Sequence, residues 1–142
     1  MAGGKSLHAV CRWTFNPGKG GFVPANIRPA WAKLDTVGAI RLVKERIAPR
    51  MPDHVELGME MHYDSEVNEA TASEVADALV DAKLALAMST PGAHSRFAYG
   101  GIASLDPGER KAAEEFGQRT VDITYGPLRK AWHREADKAP TL

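Results

Sequence analysis

The sequence predicts a parallel α/β protein whose elements run β-α-β-α-β-α. Three observations carry this expectation. Short runs of strand-forming residues alternate with longer segments of helical period. Capping residues precede the helical segments, and Pro or Gly closes the first and the third. Strands separated by helices pair in parallel, because each helix carries the chain back to the starting end of the sheet.

The first strand is expected over residues 8–15, His-Ala-Val-Cys-Arg-Trp-Thr-Phe, ending at the breaker Asn16-Pro17-Gly18. A Gly-rich loop follows as far as Pro24. Asp35 is placed to cap a helix from Thr36, with Val37, Ile40, Val43 and Ile47 on one stripe and Pro49 and Pro52 as stops. Residues 55–62 alternate strictly: Val55, Leu57, Met59 and Met61 point one way, and Glu56, Gly58, Glu60 and His62 the other. This second strand therefore has a polar face that needs surroundings tolerant of charge.

Thr71-Ala-Ser-Glu74 matches a capping box, opening a second helix that buries Val75, Ala78, Leu79 and Ala82. Residues 84–90 form the expected third strand, ending at Pro91-Gly92. Asp106-Pro107-Gly108-Glu109 opens a third helix with a cap, a proline at the first helical position and a first-turn carboxylate. Its stripe is Ala112, Ala113, Phe116, Thr120 and Ile123, punctuated by Gly126-Pro127. Another helical turn is expected over 128–133, and 139–142 resemble the approach to a further strand. An open doubly wound sheet and a closed barrel both begin in this order. The lack of a G-x-G-x-x-G turn after the first strand counts weakly against the nucleotide-binding version.

A chain of 142 residues accommodates one domain, spanning 1–142. Its 18 Lys and Arg against 18 Asp and Glu give no electrostatic pull toward nucleic acid or anionic lipid, so a small or neutral partner is expected. The single cysteine, Cys11, fits a reducing compartment and reads as a small buried hydrophobe. The first residues lack the apolar stretch of a signal peptide, and no apolar run is long enough for a membrane span, so a cytoplasmic protein is expected.

The polar residues gather where ligands bind in parallel α/β folds, at the carboxyl ends of strands. Glu60, His62, Asp64 and Glu66 close the second strand. A histidine beside a carboxylate is suited to moving a proton or polarising a substrate oxygen. The bland alternative is a solvated histidine at a loop entry. Ser89, Thr90, His94 and Arg96 close the third strand, where His94 reads more simply as a loop residue. No H-E-x-x-H spacing links His62 and His94, so a complete metal site within this chain is not expected. Trp13 and Phe22 fit the apolar wall of a pocket, whereas Phe15 fits core packing. The loop over 16–21 lacks phosphate-cradle spacing, and Glu109, Glu114 and Glu115 read as a cap and a solvated face.

Together these pieces resemble the xylose isomerase-like sugar isomerases. Cys-Arg-Trp13-Thr and a Gly-rich loop ending in Phe22, a second strand ending in His62, and Met88-Ser-Thr90 recur in order. The most specific stretch is His94-Ser-Arg-Phe97-Ala-Tyr-Gly100-Gly-Ile-Ala-Ser104-Leu-Asp106. The resemblance implies the first part of a (β/α)8 TIM barrel that interconverts aldoses and ketoses with Mg, Mn or Co, commonly as a homo-oligomer. It implies that His62 assists ring opening, that Trp13 and Thr90 line the sugar pocket, and that Phe22 reaches a neighbouring subunit. His94 belongs to the same substrate-binding set.

Two features depart from the family pattern. Ser65 stands where the family has a helper aspartate, so Glu66 is expected to act with His62 in catalysis. Gly92-Ala93 make a smaller wall than the family's, implying another sugar, or an epimerase of the same barrel superfamily. The family's metal ligands lie on later strands, so this chain is expected to be an incomplete barrel, inactive until those strands or another chain complete it. An abasic-DNA endonuclease on the same barrel is disfavoured by the balanced charge. A self-contained, non-catalytic α/β binding module is the remaining alternative.

Overall fold

In the computed structural model, the described residues are 6–15, 34–91 and 95–132. Three parallel strands form one sheet in the order β1 (Ser6–Cys11), β2 (Val55–Tyr63), β3 (Ala85–Pro91). The helices are α1 (Thr36–Leu42), α2 (Ala72–Ala82) and α3 (Pro107–Tyr125). The architecture is thus mixed α/β, built on a small parallel sheet.

The first strand is shorter than its composition predicts. It ends at Cys11, and Arg12–Phe15 turn as a 3-10 helix. Two side chains explain the stop: the Thr14 hydroxyl donates to the Cys11 carbonyl at 2.6 Å, and Arg12 Nη2 to the Leu34 carbonyl at 2.6 Å. The Thr14 bond is a local side-chain bond of the kind that competes with strand pairing, while the Arg12 bond draws the chain toward the start of α1. Trp13 therefore sits on a turn beyond the strand.

Asp35 caps α1 as expected, accepting the Gly38 N–H at 2.6 Å. The helical path does not end before Pro49. It loosens into a π-helical stretch over Val43–Ile47 and tightens into a 3-10 turn over Ala48–Arg50. A proline supplies no backbone N–H, so the regular ladder cannot continue through it.

The β2 alternation holds. Leu57, Met59, Met61 and Tyr63 are buried in one cluster with Ile40 and Val43 of the first helical segment, Val75 and Leu79 of α2, and Ile123 of α3. The helices thus cover one face of β2, and Glu56, Glu60 and His62 lie on the other, half-buried. On that face Gly58 allows close packing: a Cβ there would meet the Ala87 Cβ at 3.0 Å and Leu7 Cδ1 at 3.2 Å. A register shift interrupts the β2–β3 pairing between Met59 and Glu60.

The capping box at Thr71 and Glu74 does not form, since Thr71 makes no side-chain cap. The reciprocal pair lies three residues earlier. Asn68 Oδ1 accepts the N–H groups of Ala70 and Thr71 at 3.1 and 3.3 Å, and Thr71 Oγ1 accepts that of Asn68 at 3.0 Å. Because Ala72 N–H already bonds the Asn68 carbonyl at 2.8 Å, the capped end lies one turn before Thr71. At its other end, Lys83 adopts a left-handed conformation with φ 57°. Its N–H reaches the Val80 carbonyl and that of Leu84 the Leu79 carbonyl, both at 3.0 Å, which is the Schellman closure usually made with glycine.

Asp106 caps α3 through the Gly108 N–H at 2.7 Å, with Pro107 at the first position, as expected. Glu109 is not merely a first-turn charge at a helix end. It is only 9% exposed, and its Oε1 accepts the N–H groups of Tyr99 and Gly101, each at 3.2 Å. The loop before α3 is thereby tied to the helix. Residues 127–131 add the expected further turn.

Candidate functional site

The carboxyl ends of the three strands meet along one rim of the sheet. Cys11 stands beside Glu60, and His62 beside Thr90, in the parallel register. Trp13 follows within the turn after β1 and is half-buried. Three of the residues singled out in the sequence, Trp13, His62 and Thr90, thus belong to neighbouring strand ends. The backbone of Thr90 is placed by its pairing, while its side chain is outside what the structure describes. Phe22 and His94 lie outside the described residues.

Glu66 comes close to His62, but not in the way the sequence suggests. Its Oε2 accepts the His62 backbone N–H at 2.8 Å, while its own N–H donates to the His62 carbonyl at 3.1 Å. The loop closes further through Asp64 N–H to the Val67 carbonyl at 2.9 Å, and the Thr36 hydroxyl donates to the Glu66 carbonyl at 2.5 Å. Asp64 takes a left-handed conformation, φ 72°, in the middle of this turn. Non-glycine residues occupy that region at a cost, and such positions collect at functional sites. The loop therefore fixes where His62 leaves the strand. Among the described residues, no hydrogen bond reaches the His62 ring.

Cys11 is not simply a buried hydrophobe. Its thiol donates to Glu60 Oε2 at 3.1 Å. Burial, then the hydrogen bond to Glu60 and the charges of Glu60 and Glu66, push the thiol up to about 11. Cys11 thus stays protonated near neutrality and is a poor nucleophile, since the thiolate is the reactive form. Sequence alone shows neither the register that joins these two residues nor the bond between them.

On the helix side of the same rim, a cleft of about 350 Å³ opens between the turn after β1 and the starts of α1 and α2. Arg12, Asp35, Asp64, Glu66, Asn68 and Glu74 line it. Arg12 is buried, and among the described residues its Nε has no hydrogen-bond partner. Nothing in the residue pattern of the first strand signals a buried arginine, because its partner is the distant Leu34 carbonyl.

Among the described residues, no three His, Cys, Asp or Glu are grouped so as to hold a metal ion. Among the same residues, no helix is long and apolar enough to cross a membrane. No protein-family model matches the chain, and no curated protein or solved structure matches it.

Proposed function

We propose that this chain builds the sugar-facing part of a xylose isomerase-like (β/α)8 barrel that interconverts an aldose and a ketose. The observation that carries the reading is the shared rim: His62, Trp13 and Thr90 lie at adjacent carboxyl ends of sequentially ordered parallel strands. Ligands of parallel α/β folds bind at that end. In this reading His62 hydrogen-bonds the sugar near its ring oxygen and assists ring opening. Trp13 offers an apolar wall to the carbon skeleton, Thr90 and His94 complete the lining, and Phe22 reaches the pocket of a neighbouring subunit. Glu66 acts through the loop that sets His62, since its Oε2 accepts the His62 backbone amide. Mg, Mn or Co belongs to the complete barrel, held by residues of later strands.

The test is a chemical-shift titration of the chain with xylose and other aldoses, which detects affinities in the millimolar range. Shifts at His62 and Trp13 are expected, and their loss in His62→Ala. Conversion of aldose to ketose by the isolated chain with Mn or Co is not expected, and clear turnover would refute the incomplete-barrel part of the reading. An absence of sugar-induced shifts at both residues would refute the sugar part.

A further inference from the structure

The carboxylate expected to serve His62, that of Glu66, bonds the His62 backbone N–H through Oε2 and lines the cleft on the helix side of the rim. Glu60 is placed differently. It lies two residues before His62 on an extended strand, so both side chains emerge on the same face of the sheet. That face is opposite to the one on which Met59, Met61 and Tyr63 are buried beneath the helices. Glu60 is half-buried, and the Cys11 thiol is its one hydrogen-bond donor among the described residues, at 3.1 Å. A thiol is a weak donor, and an ionised carboxylate offers about four lone-pair sites. Among the described residues, most of the hydrogen-bonding capacity of Glu60 is therefore unused beside the histidine at the strand end. Hydrogen bonds to charged groups are the stronger kind.

We propose that Glu60, oriented by the Cys11 thiol, is a ligand-contacting carboxylate of the His62 site and accepts hydrogen bonds from neighbouring hydroxyls of a sugar or polyol. The proposal rests on the sugar reading above and assigns a contact which that reading leaves open. A carboxylate receives two adjacent hydroxyls well, because its two oxygens face the pair together. Cys11 is then a positioning residue: it occupies one lone-pair site of Oε2 and leaves the remaining sites of both oxygens for the ligand.

Two measurements on the whole chain test this. The pH dependence of Cys11 alkylation by iodoacetamide reads the pair. The thiol is expected to titrate near 11 in the wild type, and Glu60→Gln to bring it toward the ordinary 9.0. An unchanged midpoint in Glu60→Gln overturns the pair. Chemical-shift titration with xylose and with xylitol reads the contact. Glu60→Gln is expected to weaken binding by on the order of tenfold, the loss of a charge-assisted hydrogen bond. Should that variant fail to fold, Cys11→Val keeps the carboxylate, removes its donor, and is expected to weaken binding less. Binding unchanged by either substitution overturns the Glu60 assignment and leaves the sugar reading standing. Wild-type chain that binds neither compound overturns both, while the thiol titration still decides whether Cys11 and Glu60 are paired.

Discussion

Lys83 occupies a position at which glycine would be easier. Its φ of 57° brings the side chain toward the backbone, yet the helix needs that conformation so that the N–H groups of Lys83 and Leu84 close on the Val80 and Leu79 carbonyls. The left-handed region costs an ordinary residue about 1–2 kcal/mol, part of which returns because glycine also frees the unfolded chain. Lys83→Gly is therefore expected to stabilise the protein by about 0.5–1 kcal/mol, read as a higher urea midpoint. A lower midpoint would show that the lysine side chain contributes more than the strain. Asp64, at φ 72°, is the comparable residue at the candidate site. There the strain lies in the loop that presents His62, and relieving it would alter the site along with the stability.

The segment before α3 depends on a single carboxylate. Glu109 is held below its ordinary value of 4.5 first by the Ser104 hydroxyl and then by the Gly101 and Tyr99 N–H groups, against the opposing effect of burial. A carboxylate depressed in the folded state contributes stability above its unfolded value and loses that contribution as pH falls through the folded one. Wild-type protein should thus exceed Glu109→Gln in urea midpoint at pH 7, with the difference shrinking toward pH 3. A difference independent of pH would place the role of Glu109 in shape rather than charge. Elements of this kind divide what sequence shows from what it conceals. The α3 cap, the α1 cap and the β2 alternation were legible because each is written within a few consecutive residues, Asp106-Pro107, Asp35-Thr36 and residues 55–62. The early end of β1, the Asn68 cap and the bond from Cys11 to Glu60 were not. The first depends on an arginine that reaches residue 34. The second depends on a choice between two capping patterns three residues apart. The third depends on a register set by the whole sheet. At the candidate site, the gathering of polar residues at the strand end was legible, but the bond from the His62 backbone to Glu66 was not, because only the folded loop turns Glu66 toward the backbone.

At the scale of the molecule, the sheet itself separates the competing readings. Among the described residues β1 and β3 each pair on one side only, and Leu7, 41% exposed, lies with Gly58 and Ala87 on the face away from the helices. Unpaired strand edges beside exposed apolar side chains are templates for pairing with another chain. If the chain contributes part of a larger barrel, its edges should associate, and light scattering should show an average mass that rises with concentration. Leu7→Lys, a charge on an edge strand that already faces solvent, should reduce that rise without lowering the thermal midpoint appreciably, since Leu7 is outside the buried cluster. A self-contained binding module behaves otherwise: it stays monomeric as concentration increases and unfolds in one cooperative transition, with Leu7→Lys changing neither. The two outcomes exclude each other on the same samples. Association relieved by Leu7→Lys supports the unfinished sheet, and a monomer indifferent to it removes the barrel reading at its foundation.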